Sequence, residues 1–196
     1  AYFFDQASQS LYIFGGYGNY QYSNLTYQYD FDHGAWKEIQ FTGDVIYPRM
    51  HTVAGKGPVE GSFFVFGGVG NETGKQELGK DFFCDLYPFD TSKHIVKKLW
   101  SRAFPDNYFI PTRGLVFDSK KECIYLLCID RKTTNASLHR FDVKTGEHAI
   151  VSNEIVFQTN CILSTAYLFN NPKDNELYAI IRYSEDNNPK AKISVY

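Results

Sequence analysis

Two hexapeptides 52 residues apart are close copies of one another: Leu11-Tyr-Ile-Phe-Gly-Gly16 and Phe63-Phe-Val-Phe-Gly-Gly68. A repeat at such a period constrains the fold strongly, because each copy must be one supersecondary unit that buries its apolar face against a neighbouring copy. Two fainter copies, Ile124-Tyr-Leu-Leu-Cys-Ile129 and Leu177-Tyr-Ala-Ile-Ile-Arg182, give a period of 52 to 61 residues. A short apolar segment precedes each copy: Ala1-Tyr-Phe-Phe-Asp5, Met50-His-Thr-Val-Ala54, Leu115-Val-Phe-Asp118 and Ala166-Tyr-Leu-Phe169. Another follows each: Tyr27-Gln-Tyr-Asp30, Tyr87-Pro-Phe-Asp90, His139-Arg-Phe-Asp142 and Ile193-Ser-Val-Tyr196.

Between these segments lie turn formers, such as Asp32-His-Gly34, Lys144-Thr-Gly146 and Asn170-Asn-Pro-Lys-Asp174. Short apolar runs with regular turn signals and no long helical periodicity predict an all-β fold. The 17 Phe and 15 Tyr agree, since flat rings pack well on a pleated surface. At 43% hydrophobic residues the chain has enough apolar surface for a packed core and too much for a disordered segment.

The repeat unit is an Arg-bearing approach, a strand, a hydrophobic strand ending in Gly-Gly, a strand ending in aromatic-Asp, then Trp. This resembles the Kelch motif. In the first unit six residues separate Tyr29 from Trp36, as in that family, and Pro48-Arg-Met-His51 matches the approach to the second unit. Units three and four depart from it: Cys128-Ile129 and Ile181-Arg182 replace the Gly pair, and Val96 and His148 stand at the Trp position of units two and three. The resemblance implies a Kelch-type β-propeller whose blades have four antiparallel strands, A to D from the axis outward. The expected blades cover residues 1–41, 50–100, 112–152 and 162–196, with Tyr196 at the aromatic position of the last strand C and the outer strand D wanting. Propellers close with four to eight blades, and an open ring would leave sheet faces and edges bare. About four blades are therefore expected to be part of a larger propeller, the missing blades coming from the rest of a parent chain or from a second chain.

On such a scaffold the B–C loops emerge together on one face. Those expected here run from Tyr17 to Asn24, Val69 to Phe82, Asp130 to Asn135 and Tyr183 to Lys190. Long loops on a rigid frame are where binding concentrates. Tyr17, Tyr20 and Tyr22 make the first loop a candidate binding surface, because tyrosine offers a large amphipathic contact with little entropy to lose. Arg49, His51 and Arg113 stand at the starts of inner strands, where they either hold an acidic group or form structural hydrogen bonds between repeats.

Nothing in the residue spacing builds an enzyme. The five histidines form no HxH or HExxH pattern, no GxSxG elbow is present, and the carboxylates are scattered among turns. No catalytic residue, metal ligand or cofactor is assigned. Galactose-oxidase-like copper oxidoreductases share Kelch-type repeats and are the alternative class, but their ligands map onto no residues here, and a shared fold does not confer their chemistry. The net charge of -2, from 20 basic and 22 acidic residues, gives no electrostatic basis for nucleic-acid binding. No apolar run is long enough for a membrane helix, and no signal peptide is visible at Ala1. Cys84, Cys123, Cys128 and Cys161 include no CxxC pair, and the odd spacing of Cys123 and Cys128 puts them on opposite faces of one strand. Buried free thiols are expected. Asn24, Asn71 and Asn135 fit the glycosylation pattern. The divergent repeats, rich in Asn, Tyr and Lys, resemble bacterial extracytoplasmic Kelch-like proteins. The expected function is non-catalytic recognition of a protein, peptide or glycan on the B–C loop face, with the sensory or scaffold part of a larger protein as one setting for it.

Overall fold

A computed structural model describes the chain except for residues 7, 104–108, 131, 134, 157–164, 172, 175 and 185–190 and the side chains of 183, 184, 191 and 192. The fold is all-β, with no α-helix among the described residues. The strands are β1 (Tyr2–Asp5), β2 (Ser10–Gly18), β3 (Gln21–Asp30), β4 (Ala35–Ile39), β5 (Thr42–Gly43), β6 (Arg49–Met50), β7 (Val53–Lys56), β8 (Ser62–Gly70) and β9 (Asp81–Asp90). They continue with β10 (Ile95–Val96), β11 (Trp100–Ser101), β12 (Phe109–Asp118), β13 (Cys123–Asp130), β14 (Ala136–Asp142), β15 (His148–Ile150), β16 (Thr165–Asn171), β17 (Glu176–Ser184) and β18 (Ala191–Val195).

Each repeat is an antiparallel meander: β1-β2-β3-β4, then β7-β8-β9-β10, then β12-β13-β14-β15, then β16-β17-β18. The chain divides into two compact units, one of residues 1–107 with 143–146, the other of residues 108–142 with 147–196. In the first unit one face of the first meander packs on the second, burying Tyr12 and Phe14 with Phe63, Val65, Tyr87, Phe89 and Val96. The rings interlock, with Phe3 stacked on Phe63 at 4.4 Å and Phe14 edge-on to Phe89 at 5.5 Å. In the second unit Leu127 and Ala136, with Tyr125 and Val116, meet Ala166, Leu168, Ala179 and Ile181.

Strand register explains the repeat's signature residues. The aromatic before each Asp pairs across the sheet with the residue at the Trp36 place of its repeat: Tyr29 with Trp36, Phe89 with Val96, Phe141 with His148. The Asp itself closes the next turn: Asp30 Oδ1 accepts the backbone N–H of Asp32 and His33 at 3.0 Å, and Asp90 Oδ1 does the same for Ser92 and Lys93. The Gly pair makes a β-bulge. The β2–β3 ladder shifts between Phe14 and Gly16, and β8–β9 between Phe66 and Gly68, with Gly15 and Gly67 at φ of 66° and 62°. Where Cys128-Ile129 and Ile181-Arg182 replace the pair, β13–β14 and β17–β18 run without a shift. One register differs from expectation. Tyr196 pairs with Ala179, as Tyr27 pairs with Ile13, so it stands two residues before the aromatic–Asp position.

Candidate functional site

The segment from Tyr17 to Asn24 is not the open loop its glycine and polar residues suggest. Strand β2 runs on to Gly18 and β3 begins at Gln21, with Tyr17 facing Tyr22 across the ladder. Only Asn19 and Tyr20 form the turn, at φ of 50° and 60°. Positive φ at both central residues is the two-residue geometry that matches the right-handed twist of a hairpin. Asn tolerates it, whereas a tyrosine held there is strained. The Tyr20 side chain is 80% exposed, so packing within the chain does not explain its presence.

This hairpin tip rests on the loop between β8 and β9. Asn71 organises that loop: its Nδ2 donates to the carbonyls of Lys75 and Gly79, both at 2.7 Å, and its Oδ1 accepts from Thr73 N–H at 3.1 Å. A 3-10 turn over Gln76–Leu78 follows. The tip docks through backbone hydrogen bonds, from Tyr22 N–H to the Gly74 carbonyl at 2.7 Å and from Gln76 N–H to the Tyr20 carbonyl at 3.2 Å. The Tyr17 hydroxyl donates to Gln76 Oε1, and the Tyr17 and Tyr22 rings lie 5.4 Å apart. Between tip and loop is an open groove of about 460 Å³, lined by Asn19, Tyr20, Gln21, Lys75, Gln76 and Glu77. Three amides, one aromatic ring and one charge of each sign line it.

The six candidate residues do not gather at one place. Tyr17 and Tyr20 stand at this tip. Tyr22 is buried and supports it from beneath. Arg49 is 1% exposed and serves the fold: Nη1 donates to Asp85 Oδ1 at 2.7 Å and to the Gly67 carbonyl at 3.2 Å, and Nε donates to the Tyr47 carbonyl at 2.9 Å. Its guanidinium lies 3.9 Å above the Phe83 ring. Of the two roles open to it from sequence, holding an acidic ligand or bracing the structure, the geometry is that of the brace. His51, at φ of 57°, is exposed on the segment joining β6 to β7. Arg113 belongs to the other unit, where it pairs with the Tyr167 hydroxyl at 3.1 Å beside the single parallel bridge of β12 to β16.

Lys75, Gln76 and Glu77 were not singled out by sequence, although they lie in a stretch expected to be a long loop. Of the expected loop from Tyr183 to Lys190, Tyr183 and Ser184 end strand β17 and residues 185–190 lie outside the described residues, as does Cys161. Cys84, Cys123 and Cys128 are buried and form no disulfide, and burial pushes the Cys84 thiol well above its ordinary value. Asn71 has both ends of its amide engaged and is buried, so it is no accessible glycan acceptor. Among the described residues no three His, Cys, Asp or Glu side chains gather closely enough to hold a metal ion.

One polar cluster was not legible beforehand. His139 and His148 lie diagonally across β14 and β15, with Nδ1 and Nε2 3.0 Å apart, and Ser137 Oγ is 3.0 Å from His139 Nε2. Phe109 covers both rings. Burial, then the neighbouring His148, lowers the His139 pKa to about 4. The chain matches no protein-family model, and no curated protein is significantly similar to it.

Proposed function

We propose that the four meanders are successive blades of a Kelch-type β-propeller and that the chain is a non-catalytic recognition module. Its ligand, a protein, peptide or glycan, is held at the groove between the Asn19-Tyr20 tip and the Lys75–Glu77 loop. The observation that carries this reading is Tyr20: an exposed aromatic ring at a turn position where its own backbone is strained. Strain without a packing return inside the chain fits a ring retained for contact with something outside it. The surroundings suit the task. The amides of Asn19, Gln21 and Gln76 offer both donors and acceptors, and the docked loop holds them in place at low entropic cost. Meander sheets in the order A to D, with the Gly-pair bulge and aromatic–Asp turns, support the propeller part of the reading.

The test uses a displayed peptide library and a glycan array as probes, with wild type and Tyr20→Gly compared on every hit. Truncating an aromatic anchor costs about 2 kcal/mol or more, so hits at this groove weaken at least tenfold. If Tyr20→Gly keeps every wild-type hit at unchanged affinity, the groove is not the recognition site.

A further inference from the structure

The groove between the Asn19-Tyr20 tip and the Lys75–Glu77 loop is lined by side chains rich in hydrogen-bonding groups. Asn19, Gln21 and Gln76 each carry an amide, which both donates and accepts; Lys75 only donates, and an ionised Glu77 only accepts. Tyr20 adds a ring that is 80% exposed. Among the described residues no Leu, Ile, Val or Met lines the groove. Ligand clefts of about 300–1,000 Å³ are mostly walled by apolar side chains with a few polar groups between them. At about 460 Å³ this one has the reverse proportion. Among the described residues the side chains of Asn19, Gln21, Lys75 and Glu77 and the Tyr20 hydroxyl have no hydrogen-bond partner within the chain. Gln76 is held at one end only: its Oε1 accepts from the Tyr17 hydroxyl, which leaves its two amide N–H groups to donate elsewhere.

Polypeptides are held in a few recurring ways, and the groove lacks the means for each. A strand added at a sheet edge needs unpaired backbone groups. Here the tip and the loop have paired theirs with one another: Tyr22 N–H donates to the Gly74 carbonyl, Gln76 N–H donates to the Tyr20 carbonyl, and Gln21 and Lys75 form an antiparallel bridge. The Lys75 and Gly79 carbonyls are taken by the Asn71 amide. An amphipathic helix needs an apolar trough, and a polyproline segment needs a row of rings where this groove has one. An acidic motif needs a cluster of arginines, whereas here a single lysine stands beside a glutamate.

Granted the groove as the recognition site, on which this rests, we infer that its ligand is a neutral oligosaccharide, one sugar ring of which lies flat on Tyr20 while its hydroxyls bond to the surrounding amides. A sugar hydroxyl donates and accepts, as an amide does, so each is matched to the other in both senses. The C–H face of a sugar ring is apolar and weakly positive, which suits the negative face of an aromatic ring. Neutrality follows from Lys75 and Glu77: a charged sugar is drawn to one of them and repelled by the other. The backbone bonds between tip and loop hold the two walls together before any ligand arrives, so less order has to be imposed on binding.

The probes are a glycan array carrying neutral, sialylated and sulfated oligosaccharides and a displayed random-peptide library, each read with wild type, Tyr20→Gly and Tyr20→Phe. Neutral oligosaccharides that depend on Tyr20 are expected among the array hits. In titration calorimetry with the strongest of them, Tyr20→Gly weakens binding at least about tenfold, and Tyr20→Phe stays within about threefold because the ring face remains. Gln21→Ala costs about fivefold, the loss of one hydrogen bond. In heteronuclear NMR the side-chain amide signals of Asn19, Gln21 and Gln76 shift as that glycan is added. An array without a neutral hit that depends on Tyr20 overturns the inference, as do hits confined to sialylated or sulfated glycans, or a neutral hit that leaves the three amide signals in place. The peptide library separates the two possible failures. Peptide hits lost in Tyr20→Gly, with no such glycan hit, leave the groove a recognition site for another class of ligand; if no probe of either kind depends on Tyr20, the recognition site falls as well.

Discussion

Among the described residues Asp85 is the one carboxylate bonded to the buried Arg49 guanidinium, and removing it tests whether that arginine is a brace or a ligand-holding group. In the native protein the side chains are 1% and 4% exposed and joined at 2.7 Å. Asp85→Ala leaves a desolvated cation with two carbonyl acceptors and the Phe83 ring, while Nη2, which has no hydrogen-bond partner among the described residues, gains nothing. Breaking a buried pair from one side costs about 3–5 kcal/mol, more than a desolvated cation–π contact of about 2 kcal/mol returns. A chain of this length loses roughly 2–4 °C per kcal/mol, so the midpoint falls by roughly 6–20 °C. Urea unfolding followed by intrinsic fluorescence gives the free energy directly. Replacing both partners, Arg49→Met with Asp85→Leu, is expected to come within about 2 kcal/mol of wild type, because no charge is then left buried. A loss below about 1 kcal/mol for Asp85→Ala, the range of exposed pairs, would refute the reasoning and return Arg49 to the list of groups open to an acidic ligand.

Gly15→Ala should cost at least about 2 kcal/mol by thermal melting, since φ is 66° and the added methyl would stand 2.7 Å from the Arg49 carbonyl; Gly18→Ala, with open space around it, should stay within about 0.5 kcal/mol. Tyr20→Gly should raise stability by about 1 kcal/mol as the left-handed strain is relieved, even while it weakens binding. The His139 pKa falls from 6.5 to about 4 on folding, so between those values the unfolded chain binds the extra proton. Stability is therefore full above pH 6.5 and drops by up to about 3 kcal/mol on the way to pH 4, then levels off; His139→Phe should remove that part of the slope in urea titrations across pH.

What the sequence revealed was local. The Gly pair, the aromatic–Asp endings and the Tyr29–Trp36 spacing each act within one hairpin, through positive φ, a carboxylate closing its own turn, or a cross-strand pair. They were readable because their partners lie a few residues away. Local turn chemistry also misled. Tyr17 to Asn24 reads as a loop, since tyrosine is not the residue expected at φ of 60°, and the tight turn at Asn19-Tyr20 carries no Asn-Gly signal. The same unexpected residue that hid the hairpin is the one that now points to the groove.

What the sequence concealed was the use made of each residue across longer distances. Arg49 and Asp85 are 36 residues apart, and nothing near either announces that they meet in the dark of the core. His148 sits at the position where the first unit has Trp36, and only the register shows why a polar ring is tolerated there: it stacks on Phe141 at 4.7 Å and bonds to His139. Burial is hidden for a different reason. Leu11 and Phe63 hold the same place in the repeat, so the pattern gives them the same burial, yet Phe63 is 1% exposed and Leu11 only partly buried. Stacked units bury a face only against a neighbour, so burial follows the packing of one meander on the next and not the strand pattern that both copies share.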